Sequence, residues 1–496
     1  MADCTSTRDT GRAAASPHTD WSGFDFETRQ VHAGEYPDLN TGLRVPPIAL
    51  SAGYVFDDFD DQADRFAGRS IDPIYSRQGN PTNSVAEARL ASLEGGSAAV
   101  AVSSGQAAIS SALFALAQGG DHIVSTASIY GGTRILFGRS LKRFGIAVDY
   151  VWDAEDDAEW ERAIRPNTKA IYTETIPNPR NDVTDLRRIA AVAARHNLPL
   201  VVDNTVGTPA LIRPFEHGAN IVVHSTTKFL TGHGAAVGGA IVDGGNFDWE
   251  AAERAGRSFP LITDAKPGLG SMVDRFGPGA YARATREAVV NDIGPALSPF
   301  NGFLLHQGME TLSLRMERHV ASSLAIAAWL AEQGAVESVD YAGLQGSPLY
   351  ELAARDYGVA RVAGIGGSAG VDGAGGAARA AGAAGAGGAV GAAGAVGAVG
   401  DSSVTGARTG SVFGVTVRGG VEGARSFVNG LRIFSRMTGI GDTRSMVIHP
   451  LTSTHATFAP EINERLGITP GLLRLSVGLE SAQDLVTDLE AGLSRV

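Results

Sequence analysis

Lys228 sits in the stretch "HSTTKFLTGHGAAVGG" (His224–Gly239), with hydroxyls before it and glycines after it. A solvated surface lysine needs no such company. Asp203 ends the apolar run of "VVDNTV". Both residues follow short strand-like runs, so both would project from the carboxyl ends of neighbouring parallel strands, where open α/β sheets bind ligands. A lysine partly desolvated there has a lowered pKa and can form an imine with an aldehyde. An aspartate beside it can keep a heterocyclic nitrogen protonated, which makes a pyridoxal ring an electron sink. The turn "SSGQAA" places the backbone N–H groups of Gly105 and Gln106 at a helix start, where an anion is favoured. Ser225 and Thr227 add hydroxyls from the lysine side, and the glycines let the backbone pass close by. Taken singly, each feature has a plainer explanation: a structural glycine turn, an aspartate turn cap, a solvated lysine. Their joint order points to a pyridoxal phosphate (PLP) enzyme.

Those residues need a scaffold, and the chain alternates accordingly. "AAVAVSSGQAAISSALFAL" reads as strand, turn and helix, and "GDHIVSTASIYGGT" as a strand and turn. "DLRRIAAVAARHN" is an amphipathic helix leading into "LPLVVDNTV", and "ANIVVHSTTK" is a further strand. Apolar strands separated by helices predict a parallel sheet covered on both faces, so the fold class is α/β. The segment 209–299 is less regularly patterned. From about Phe300, "GFLLHQGMETLSLRMERHVASSLAIAAWLAEQ" reads as one helix opening a smaller C-terminal α/β domain, with "SVFGVTVRGG" and "LLRLSVGLE" as strands.

The expected organisation is an N-terminal arm and dimer-contact segment (1–72), a large cofactor-binding domain (73–305) and a C-terminal domain (306–496). Residues 363–410 are almost wholly Gly, Ala and Val. Lacking large side chains to offset the entropy of ordering, this stretch is expected to be a flexible surface insertion without a catalytic part.

The 496 residues are 44% hydrophobic and 19% charged, an ordinary globular balance with enough apolar content for a large core. With 41 basic and 53 acidic residues the net charge is −12, and no basic run could neutralise a phosphate backbone, so nucleic acid is not an expected partner. The single cysteine, Cys4, excludes an internal disulfide. No leader-like apolar region opens the chain, and no run approaches the roughly 18 apolar residues that suggest a membrane span. The expectation is a cytoplasmic protein without a membrane partner. His224 and His233, or His449 and His455, invite a metal reading, but no HExxH or CxxC pattern accompanies them and no metal site is expected.

Eight segments together resemble the Cys/Met-metabolism family of PLP enzymes: "YSRQGNPT", "SSGQAAI", "SIYGGT", "ETIPNP", "VVDNTV", "HSTTKFLTGHGAAVGG", "SPFNGFLLHQGMETLSLRMERH" and "LLRLSVGLE". The resemblance runs from about Thr28 to the C-terminus, interrupted by the Gly/Ala insertion. It implies a fold-type I (aspartate aminotransferase-like) architecture with a mostly parallel sheet in the large domain. It also implies Lys228 as Schiff-base lysine and proton shuttle, Asp203 on the pyridine nitrogen, and Tyr130 stacked on the ring and assisting proton transfer, these three being the catalytic residues. Gly105, Gln106, Ser225 and Thr227 would bind the phosphate. Tyr75 and Arg77 would reach that phosphate from a neighbouring subunit, in a homotetramer built of active-site-sharing dimers. Asn178 would sit between cofactor and substrate carboxylate, Arg474 would pair with that carboxylate, and Ser445 would add a contact.

Within the family, the extension "FPLITDAKPGLGSMVDRFGPGAYARATREAVVNDIGPALSPF" and the opening "TRQVHAGEYPDLNTGLRVPPIALSAGYVFDDFDDQADRFAG" are similar to the O-acetylhomoserine sulfhydrylase branch. Gly132 occupies a position where methionine γ-lyases typically carry cysteine. The resemblance therefore implies exchange of acetate for sulfide or methanethiol on O-acetyl-L-homoserine. Cystathionine γ-synthase, γ-lyase and O-succinylhomoserine sulfhydrylase activities are the alternatives.

Overall fold

The structure is a computed structural model that describes residues 20–35, 42–70, 72–365 and 403–496. Cys4 and most of the Gly/Ala-rich stretch lie outside these residues.

Seven strands make the large sheet: β1 (Ala98–Val102), β2 (His122–Thr126), β3 (Ala147–Val151), β4 (Thr168–Glu174), β5 (Leu200–Asp203), β6 (Ile221–His224) and β7 (Gly239–Asp243), in the order β1-β7-β6-β5-β4-β2-β3. β2 to β6 pair in parallel, and every residue of β2, β5 and β6 is buried, as continuous apolar runs require. β7 is the exception, antiparallel to both β6 and β1. The sequence reading did not anticipate this reversal. Parallel neighbours need a crossover, usually helical. The lysine loop joining β6 to β7 contains no helix, so the chain turns directly back.

The helices follow their sequence signals. Leu186–Arg195 is capped by Asp185, which accepts from the Arg188 N–H at 3.2 Å, and it buries Leu186, Ile189, Val192 and Ala193 on one face. The segment 209–299 is more ordered than its patterning indicated. It forms short helices, among them Trp249–Arg254, Met272–Phe276 and Ala280–Ala284. Trp249 stacks on Tyr281 at 5.8 Å and meets Phe259 edge-on at 5.2 Å. Tyr281 donates its hydroxyl to Ala112 O at 2.9 Å, which ties the segment to the helix Gly105–Phe114.

The remaining strands are β8 (Val336–Asp340), β9 (Val359–Ala363), β10 (Ser403–Ala407), β11 (Val412–Val417), β12 (Ser435–Arg436), β13 (Met446–Ile448) and β14 (Leu472–Ser476). A second sheet has the order β12-β13-β14-β11-β8, and β9 and β10 form a separate hairpin-like pair. Two expectations are corrected here. The residues after Phe300 form two helices, Pro299–Met309 and Leu312–Ala331, not one. Arg315 takes the Gly308 carbonyl at 2.5 Å, the acceptor that a continuous helix would offer to the Leu312 N–H. The expected flexible stretch 363–410 also ends earlier than its composition implied, because Ser403 to Ala407 pair with Ala363 to Val359 and Ala407 is fully buried.

The N-terminal segment is fastened through Glu35. Its carboxylate accepts from Arg89 Nη2 at 2.9 Å, pairs with Arg44, and lies 2.6 Å from His306 Nε2. Glu35, His306 and Glu310 are close enough to hold a metal ion, but Arg89 already lies against both carboxylates. Burial opposes ionisation of Glu35, yet His306, Arg44 and Arg89 outweigh it and bring its pKa down to about 2. A depressed carboxylate stabilises the fold fully above its unfolded pKa and loses that contribution as pH falls through the folded value. Glu35→Gln should therefore cost about 3 kcal/mol at pH 7, as for a broken buried pair. In denaturant titrations the wild type and the variant should converge between about pH 4.5 and pH 2, the window set by the two pKa values.

Candidate active site

A cavity of about 250 Å³ opens at the carboxyl ends of β4, β5 and β6. Nine of the sequence-predicted residues line it: Gly105, Gln106, Tyr130, Asn178, Asp203, Ser225, Thr227, Lys228 and Arg474. The structure thus gathers residues from the ends of five strands, β1, β2, β4, β5 and β6, and from β14 of the second sheet at one place.

Its floor is Asp203, whose Oδ1 accepts the Thr205 N–H at 2.9 Å and whose Oδ2 accepts the Tyr172 hydroxyl at 3.4 Å. Burial holds this carboxyl above the usual aspartate range, although the Thr205 hydrogen bonds and nearby His224 act the other way. No cation is bonded to it among the described residues. A buried carboxylate facing an open space fits a protonated ring nitrogen.

Lys228 is held by a loop with little freedom. Its N–H donates to Ser225 O at 3.2 Å, and Thr227 exchanges hydrogen bonds with Gly238, Oγ1 to O at 3.1 Å and N to Oγ1 at 3.0 Å. The buried Arg315 guanidinium donates to Phe229 O at 2.6 Å just beyond the lysine. Burial lowers the Lys228 pKa below the usual lysine value, and the positive charge of Arg474 lowers it further. Two glycines are sterically required. A Cβ on Gly105 would lie 2.6 Å from Ser225 Cβ, and one on Gly239 would overlap Ser104 O. The glycines around the lysine thus let the phosphate turn and the lysine loop touch.

Arg474 closes the other end. It donates to Asn178 Oδ1 at 3.2 Å and to the carbonyls of Thr438 and Gly439 at 2.8 and 2.9 Å, while its buried Nε has no partner. Burial lowers its pKa to about 10. The unpartnered Nε suits a substrate carboxylate, as the unpartnered Gln106 Oε1 at the opposite end suits a polar ligand. Ser104 caps the helix Gly105–Phe114 by accepting from the Ala107 N–H at 3.1 Å. That leaves the first backbone donors free for a phosphate.

Three predicted residues lie elsewhere. The Ser445 hydroxyl donates to Glu480 Oε2 at 2.9 Å and accepts from the Gly478 N–H at 2.9 Å, so this side chain is committed behind the cavity and is not in its lining. Tyr75 and Arg77 are also outside the lining; Arg77 lies over the Tyr75 ring at 5.2 Å and donates to Asn291 Oδ1 at 3.4 Å. The cavity also contains residues that sequence reasoning passed over: Glu174, Thr205, and an apolar wall that includes Ile176 and Ile440. Glu174 opens the quoted "ETIPNP" run at the end of a strand, a position equivalent to that of Asp203, and this was the available signal.

The fold and this cavity define a fold-type I PLP-dependent enzyme. The chain belongs to the Cys/Met metabolism PLP-dependent enzyme family, whose sequence profile matches residues 27–363 and 402–494 and so skips the Gly/Ala-rich insertion. An O-acetyl-L-homoserine sulfhydrylase of Corynebacterium glutamicum is 38% identical over 95% of this chain and 98% of its own. O-acetyl-L-homoserine sulfhydrylase 1 of Thermus thermophilus is 39% identical over 95% of this chain and 100% of its own. The crystal structure of a putative O-acetylhomoserine (thiol)-lyase from Campylobacter jejuni, containing N′-pyridoxyl-lysine-5′-monophosphate, superposes with a TM-score of 0.81 at 29% identity, covering 95% of this chain and 100% of that one. A cystathionine gamma-lyase from Lactobacillus plantarum gives 0.72 at 29% identity, over 95% of this chain and 99% of that one.

Gly105→Ala tests the contact between turn and loop. Overpacking of this kind costs about 1–3 kcal/mol. The variant should stay folded but bind PLP roughly tenfold or more weakly in an absorbance titration, the affinity loss equivalent to that energy. Gly138→Ala, where a Cβ meets nothing within 4 Å, should match the wild type.

Proposed function

We propose that this protein is an O-acetyl-L-homoserine sulfhydrylase, replacing acetate by sulfide to give homocysteine, with methanethiol as a second thiol giving methionine. The observation carrying this reading is similarity at 38–39% identity, over nearly the whole chain, to enzymes bearing that name. The extension Phe259–Phe300 packs on the helix that opens at the phosphate turn, Tyr281 donating its hydroxyl to Ala112 O.

Bound PLP supplies an aldehyde for an amine and a protonated ring that accepts electrons. Asp203 holds the ring nitrogen, and Tyr130 covers the ring face. The Gly105 and Gln106 amides and Ser225 bind the phosphate, and Thr227 joins them by turning its hydroxyl proton away from the Gly238 carbonyl. Arg474, steadied by Asn178, receives the substrate carboxylate as a planar fork. Lys228 Nζ, with its lowered pKa, takes the α-proton and carries protons to and from the β-carbon while acetate leaves the γ-carbon and the thiol adds there.

Among the cavity-lining residues the only cations are Lys228 and Arg474, neither of them at the phosphate turn. The N-terminal segment exposes Leu50 at 77%, Val55 at 91% and Phe59 at 80%. Both features favour a second copy docking there and lending Tyr75 and Arg77 to this cavity, within a homotetramer.

The test is a product assay on the PLP-loaded protein with O-acetylhomoserine and sulfide, methanethiol or cysteine in parallel, and O-succinylhomoserine as a rival substrate. Homocysteine from O-acetylhomoserine and sulfide, with little cystathionine from cysteine, is the expected outcome. Cystathionine as main product, 2-oxobutanoate without thiol, or preference for the succinyl ester would overturn the reading.

A further inference from the structure

The cavity floor holds two carboxyl groups, and the chemistry above uses one. Glu174 ends β4 directly opposite Asp203 in the parallel β4–β5 register, so both side chains point to the same face. Glu174 is 4% exposed and lines the cavity. Its Oε1 accepts the Tyr130 N–H at 2.6 Å. That amide belongs to the turn "SIYGGT", which carries the Tyr130 ring over the cavity. The turn is sterically tight: a Cβ on Gly132 would run into the Tyr130 ring and come within 2.8 Å of Gln106 Nε2.

We propose that Glu174 is a positioning residue that acts as a neutral acid. Its carboxyl fixes the Tyr130 turn, and by keeping its proton it leaves Asp203 as the one negative charge under the cofactor ring. Two adjacent buried carboxylates would repel each other, and the cavity has no arginine or lysine bonded to either among the described residues. Burial first, and Asp203 second, push the Glu174 carboxyl well above the usual glutamate range. Asp203 has the Thr205 N–H and the Tyr172 hydroxyl as donors, whereas Glu174 has the single Tyr130 amide, so Asp203 is the better site for the charge. The proposal rests on the PLP assignment and is independent of which thiol or acyl group the enzyme uses.

Glutamine mimics a protonated glutamate, with Oε1 still able to accept from the Tyr130 amide and an N–H in place of the acid O–H. Glu174→Gln should leave PLP affinity, the absorption band of the bound cofactor and kcat/KM within about threefold of wild type, because the hydrogen bond and the charge state are both preserved. Glu174→Ala removes the acceptor of the part-buried Tyr130 amide and should weaken PLP binding about tenfold or more, with a shifted cofactor band. PLP titration followed by absorbance reads this without any substrate, so it stands even if the product assay contradicts the sulfhydrylase reading. Loss in the glutamine variant as large as in the alanine variant would show that the negative charge is required and overturn the proposal. An alanine variant indistinguishable from wild type would overturn the positioning role. If the alanine variant does not fold, the glutamine variant alone decides: unchanged affinity and band support the proposal, and their loss contradicts it.

Discussion

A carboxylate buried with no cation bonded to it among the described residues is the constraint around which this protein is organised. Asp203 lies at the end of β5 with one backbone and one phenolic donor. Two hydrogen bonds do not recover the full cost of dehydrating a charge. The cost becomes useful when a protonated heterocycle lies against it, because the same dry surroundings that penalise the lone carboxylate strengthen the pair. The rest of the cavity serves that pairing. Glu174 accepts the N–H of Tyr130, the residue proposed to cover the ring, and the capped helix start leaves its first amides free toward the far end of the cavity.

The lysine must reach this place while partly desolvated, and the sheet topology allows it. Because β6 returns directly as β7, the lysine loop is pinned at both ends by strand pairing. Within it, Arg315 holds the Phe229 carbonyl and Thr227 holds Gly238. Burial first and the charge of Arg474 second lower the lysine pKa, the direction that the proposed proton carrier would need. The second sheet takes part in the site by presenting Arg474 from β14.

Much of this was legible in the sequence, for identifiable reasons. Continuous apolar runs such as "LPLVV" and "ANIVV" give buried strands, which puts Asp203 at one strand end and Lys228 four residues beyond the next. The direction of β7 was not legible, because an apolar run is the same read in either direction and only the missing crossover helix betrays it. The break at Glu310–Thr311 was hidden for another reason. Its cause is Arg315 capturing a carbonyl, a side-chain contact with no periodic signature. Ser445 stands outside the cavity lining because motif position cannot say which way a hydroxyl points, and Glu480 claims it. Glu174 carries no signal of its burial, since a single glutamate at a strand end is ordinarily solvated. Its burial depends on the neighbouring strand.

The most direct test of the central pairing is thermal unfolding of the wild type and Asp203→Asn, each with and without PLP. Asparagine keeps an acceptor for the Thr205 amide and removes the charge. The apo variant should be at least as stable as the apo wild type. PLP should raise the wild-type Tm strongly and the variant's much less, a deficit of about 3 kcal/mol or more if a buried ion pair is lost. Equal stabilisation of both proteins by PLP would contradict the account, because the charge of Asp203 would then play no part in holding the cofactor.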